Sequence, residues 1–60
     1  MNYYTVENTK NGFQIMWYVF HANEDDFVME DIDSTVFKTR REAVRMARKL
    51  AKNSHSEYWD

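Results

Sequence analysis

Two stretches near the start of the chain, residues 3–7 and 13–21, are rich in aromatic and β-branched residues and alternate between two sets of side chains. That pattern predicts two strands. Lys10-Asn11-Gly12 lies between them, and Asn-Gly is the strongest short hairpin signal, because both residues tolerate the positive φ of a type I′ turn. With Asn11-Gly12 as the loop, Lys10 faces Phe13, Val6 faces Trp17 and Tyr4 faces Val19. Tyr4, Val6, Phe13, Ile15, Trp17 and Val19 then share one face, assigned to the core with Trp17 as its central aromatic. The opposite face carries Tyr3, Thr5, Glu7, Gln14, Met16, Tyr18 and Phe20, and is more aromatic than ordinary solvent-facing surface.

A polar connection over residues 22–26 leads to a third strand, 27–32, with a further stretch at 34–37 that would continue it after a bulge. Its alternation is imperfect. Grouping Phe27 with Met29 brings in Asp31, and grouping Val28 with Ile32 brings in Glu30, as suits an edge strand where charge discourages aggregation. The helix is better defined. Thr39 and Glu42 form a capping box, and residues 40 to about 52 contain no Gly or Pro. Ala43, Val44, Met46, Ala47, Leu50 and Ala51 occupy an arc of roughly 160° at about 100° per residue, predicting the face that covers the sheet. Asn53 is the expected stop. Residues 1–53 therefore read as one α+β domain, a three-stranded antiparallel sheet packed against one C-terminal amphipathic helix in β-β-β-α order. Residues 54–60 read as a polar tail that either frays or docks Tyr58 and Trp59 on the sheet face or on a second subunit.

Sixty residues bound what such a domain can do. A chain this short buries only about 60% of its unfolded surface. Its core supplies roughly 3–5 kcal/mol, so small domains lean on disulfides, metals or partners. The chain has no cysteine, which removes disulfides and thiolate sites and suits a reducing, cytoplasmic setting. No apolar run approaches the ~20 residues of a membrane span, and the start does not read as a secretory signal. The formal net charge of -2 conceals a segregation. Six acids fall between Glu24 and Asp33, and seven of the eight basic residues fall between Lys38 and Lys52.

Reaction chemistry is not legible. His21 and His55 are far apart with no second imidazole at helical spacing, and Ser56 beside His55 and Glu57 lacks the separate rigid elements a nucleophile needs. Asp31, Asp33, Thr35 and Glu42 match four positions of a calcium loop, but Val36 stands where glycine is required and Glu42 belongs to the helix cap. The expectation is a non-enzymatic protein with no catalytic residues, cofactor or metal.

Two binding surfaces remain. Tyr3, Met16, Tyr18 and Phe20 on the second sheet face, with Glu24, Asp25 and Asp26 in the neighbouring loop, suggest a contact with a protein partner or with a second copy in a homodimer. An acidic loop beside aromatics also suits an inhibitor that imitates nucleic acid. Alternatively, Arg41, Arg45, Arg48, Lys49 and Lys52 form a cationic stripe on the outer helix face, suited to nucleic acid.

The segment Val36-Phe37-Lys38-Thr39-Arg40-Arg41-Glu42-Ala43, preceded by strands and followed by an Ala-rich helix, is similar to that of short uncharacterised bacterial and phage proteins with three strands and one helix. It also resembles, more weakly, the arm-binding domain of phage tyrosine integrases and the DNA-binding domain of plant ethylene-response factors. The first resemblance implies a phage-type or mobile-element accessory protein acting on a host factor. The others imply DNA binding through the exposed sheet face, yet that face here lacks Arg and Lys and contains Glu7. The shared pattern therefore implies the shape and not the activity.

Overall fold

The computed structural model describes all 60 residues. Strands β1 (Asn2–Thr9), β2 (Gly12–His21) and β3 (Asp26–Ile32) precede helix α1 (Arg40–Asn53), and a short β4 (Glu57–Tyr58) follows it. The sheet order is β3-β2-β1-β4, with β1–β2 and β2–β3 antiparallel and β1–β4 parallel. The fold is therefore α+β with one helix, as the pattern predicts, but its sheet is mixed and has four strands rather than three. The added strand comes from the segment expected as a tail.

The first hairpin turns one step earlier than expected. Thr9 pairs with Gly12, so Lys10 and Asn11 form the loop, and Tyr4 faces Trp17 while Val6 faces Ile15. Neither loop residue has positive φ, so the turn is not type I′. Gly12 is needed for another reason. Its φ is 153°, and a Cβ there would collide with the Phe37 carbonyl oxygen and come within 2.9 Å of Val36 Cγ1. Phe37 exchanges two backbone hydrogen bonds with Phe13, its amide donating at 2.8 Å and its carbonyl accepting at 2.9 Å. The stretch 34–37 contributes this single bridge to β2 instead of extending β3. Because the register moves by two residues, every side chain keeps its predicted face.

The helix lies on the face of Tyr4, Ile15 and Trp17. Ala43, Ala47 and Ala51 are its buried residues, and their small side chains bring its backbone close to the sheet. Ile15, 2% exposed, is the one large side chain fully enclosed. Trp17 is only half-buried and packs on Tyr4 with ring centroids 4.4 Å apart, so the expected central aromatic is Ile15's neighbour instead. The physical reason is coverage. α1 touches β1, β2 and β4 but not β3, leaving Trp17 under the edge of the helix.

Both helix ends are closed by side chains and backbone. The Thr39 hydroxyl oxygen accepts from the Glu42 amide at 3.2 Å, and the hydroxyl donates to the Glu42 carboxylate at 3.1 Å. At the other end His55 adopts φ 55°, its amide donates to Lys52 and the Ser56 amide donates to Ala51 at 2.8 Å. This is a Schellman motif, with Asn53 the last helical residue and Ser54 the cap. It reverses the chain so that β4 can run beside β1.

Candidate functional site

Strand alternation carries Tyr3, Thr5, Glu7, Gln14, Met16, Tyr18 and Phe20 to the face away from the helix. A bulge in β3 extends this surface. Tyr18 pairs with Met29 and Trp17 with Asp31, leaving Glu30 as an extra residue. The phase change puts Phe27, Met29 and Ile32 on the open face and turns Asp31 toward the helix side. The alternation that seemed to force an acid onto either face is thus broken at Glu30, whose carboxylate pairs with His21 Nε2 at 2.9 Å.

The tail completes the surface. The Trp59 amide donates to the Tyr4 carbonyl at 2.9 Å, and the indole lies parallel to Tyr3 with centroids 4.1 Å apart. Tyr3 stacks in turn on Tyr18 at 4.9 Å. Phe27 meets Tyr3, Trp59 and Phe20 edge-on at 4.9, 5.2 and 5.4 Å. Five aromatic rings from β1, β2, β3 and the tail form one cluster. Of its members Phe20 and Trp59 are each 38% exposed, and Met29 and Ile32 beside it are 43% and 40% exposed. The sequence placed Tyr3, Met16, Tyr18 and Phe20 here correctly. It did not assign Phe27, Met29 and Ile32, because the bulge that aligns them has no signature in the pattern.

Carboxylates surround the rings. Glu7 lies on the open face, the Trp59 indole N–H donates to Glu57 at 2.7 Å, and Glu24, Asp25 and Asp26 lie at the β2–β3 hairpin. Asp25 takes φ 52° in that turn, and Asp26 accepts from the Phe27 amide at 2.8 Å. Burial raises the Tyr3 phenol above the ordinary tyrosine value, with Tyr18, Glu7 and Asp26 adding to the effect. Acidic groups on β1 and at the start of β3 are therefore felt at the centre of the cluster.

The other layer has the opposite charge. Arg40, Arg41, Arg45 and Arg48 surround Val44 in a shallow hollow of about 520 Å³ on the helix. Two of them are engaged by the tail. Arg40 donates to Asp60 at 2.9 Å, the Tyr58 hydroxyl donates to the same oxygen at 3.1 Å, and the Arg48 guanidinium lies 5.5 Å from the Tyr58 ring centre. Arg40 holds the Asp60 carboxyl below its ordinary value, while burial, then the Asp60 bond, raises the Tyr58 phenol. Arg41, Arg45, Lys49 and Lys52 stay exposed.

A cleft of about 350 Å³ opens between Leu50 and β3, with Tyr4, Ile15, Trp17, Asp31 and Asp33 lining it. Of the calcium-like residues, Asp31 and Asp33 line it, while Thr35 and Glu42 do not. Asp33 accepts from the Thr35 amide at 2.8 Å and Glu42 remains in the helix cap. No three His, Cys, Asp or Glu side chains are grouped to hold a metal ion, and no helix is long and apolar enough to cross a membrane. No family model, curated protein or solved structure matches the chain.

Proposed function

We propose that this protein is a non-enzymatic interaction module whose contact surface is the open sheet face. The observation that carries the reading is the continuous apolar cluster of Tyr3, Tyr18, Phe20, Phe27, Met29, Ile32 and Trp59 on the side the helix leaves bare. Contiguous apolar surface of this kind marks protein contacts, and aromatics with methionine are the residues enriched there. Burying such area is worth about 25 cal/mol per Å². A phage-type or mobile-element setting, which the sequence resembles, makes the partner a host factor.

The test is recovery of a defined partner from lysate by the tagged protein and by a Phe20→Ser/Met29→Thr variant. Both positions are more than a third exposed, so the variant should keep its circular dichroism and a cooperative melt, at a lower Tm because Phe20 loses its contact with Phe27. Loss of the partner by the folded variant supports the reading, and full retention refutes it. A second reading, nucleic-acid binding through the helix, is favoured by the four arginines around Val44 together with Lys49 and Lys52. It requires duplex or single-stranded binding near 50 mM salt that weakens steeply with added salt, with a log–log slope of roughly -3.6 for four neutralised phosphates.

A further inference from the structure

We infer that the open sheet face takes a cationic protein segment, one that presents Arg or Lys around apolar anchors. This inference rests on the interaction reading above and names the chemistry of the partner. The strand positions of the face hold Tyr3, Thr5, Glu7, Gln14, Met16, Tyr18, Phe20, Phe27, Met29 and Ile32, with no Arg or Lys among them. Glu7, Glu57 and Asp26, with Glu24 and Asp25 in the hairpin turn, supply negative charge around the rings. Seven of the eight basic residues belong to the segment from Lys38 to Lys52, leaving Lys10 as the one cation in the strand region.

Charge complementarity decides between occupants. A second copy docked face to face would set one acidic rim against another, with only Lys10 to offset it. A second copy presenting its helix would bring cations, but the apolar side chains that surface exposes, Val44 and Met46, are set among Arg40, Arg41, Arg45, Arg48 and Lys49 and carry no aromatic ring to meet the cluster. Nucleic acid is repelled by the same carboxylates. A basic amphipathic segment satisfies both parts of the surface, since its apolar side chains cover Phe20, Met29 and Ile32 while its cations reach the rim and the exposed ring surfaces.

The experiment uses three synthetic 18-residue helical peptides with the same leucine face and with Lys, Gln or Glu on the polar face. Binding to the whole protein is followed by fluorescence anisotropy at several salt concentrations. The Lys peptide should bind at least about tenfold more tightly than the Gln peptide at 50 mM salt and lose that advantage as salt screens the rim. A Glu7→Gln/Asp26→Asn/Glu57→Gln variant, which keeps the acceptor oxygens used by Phe27 and Trp59, should bind Lys and Gln peptides alike. Phe20→Ser/Met29→Thr should lose both. Equal binding of Lys and Gln peptides by the unmodified protein, both lost in the Phe20/Met29 variant, overturns the cationic preference and leaves the docking face standing. Peptide binding that ignores the Phe20/Met29 variant overturns the docking face itself. Association of the protein alone that strengthens at low salt would also contradict the inference, because a repelling rim predicts the opposite sign.

Discussion

Gly12 connects two parts of the molecule that are distant in sequence. Its missing side chain lets the Phe37 backbone approach the start of β2, which sets where the chain enters the helix. Gly12→Ala should cost more than about 1 kcal/mol, because both its φ and the space around it exclude a methyl group. For a domain of this size that lowers Tm by at least about 5 °C. A thermal melt without a shift would show that Phe37 is not seated there. Two tyrosines give a second handle. Tyr3 and Tyr58 both have phenols raised by burial, so folding favours their neutral forms. Their contribution to stability is complete below the ordinary tyrosine value of about 10 and is lost as pH rises through the higher folded values. Absorbance titration at about 295 nm should show late-ionising phenols that appear in step with loss of Tm above pH ~10. Ionisation of every phenol near pH ~10 with an unchanged Tm would contradict this.

The elements differ in how far the sequence discloses them. The bounds and N-cap of helix α1 were legible, because capping is a local property of the chain, but the covering face is narrower than the expected arc, with Val44 among the arginines and Met46 38% exposed. Ala43, Ala47 and Ala51 also announced their role, since small residues at helical spacing on an apolar face permit close approach. Ala47→Leu should therefore destabilise the fold by about 1–3 kcal/mol through overpacking, measured by denaturant unfolding. An unchanged midpoint would place that face away from the sheet. The hairpin faces were legible too, but not its register, because the Asn-Gly signal was outweighed by Phe37, a contact with a residue far along the chain. The bulge at Glu30 and the strand β4 were not legible for the same reason. Glu57-Tyr58 is too short to carry a period, and it becomes a strand only because the Schellman turn at His55 delivers it to the edge of β1. Docking Trp59 on Tyr3 then makes the tail part of the candidate site rather than an appendage.

At the scale of the molecule, the two layers divide the work. The helix layer covers one sheet face with alanines and presents arginines outward, while the sheet layer turns its largest rings toward the uncovered side. Accessible surface amounts to 4557 Å², above the roughly 4,200 Å² expected of a folded monomer of 7.3 kDa. A core with one large enclosed side chain leaves much of the apolar surface available to a partner. Charge follows the same division, with carboxylates around the rings and guanidinium groups on the helix. The most direct measurement places a photo-crosslinking amino acid at Phe20 in one variant and at Lys49 in another, each expressed in the native host. The account predicts protein adducts from position 20 and none of comparable yield from position 49. Adducts from position 49 alone, to nucleic acid or to protein, would contradict it and assign the function to the helix.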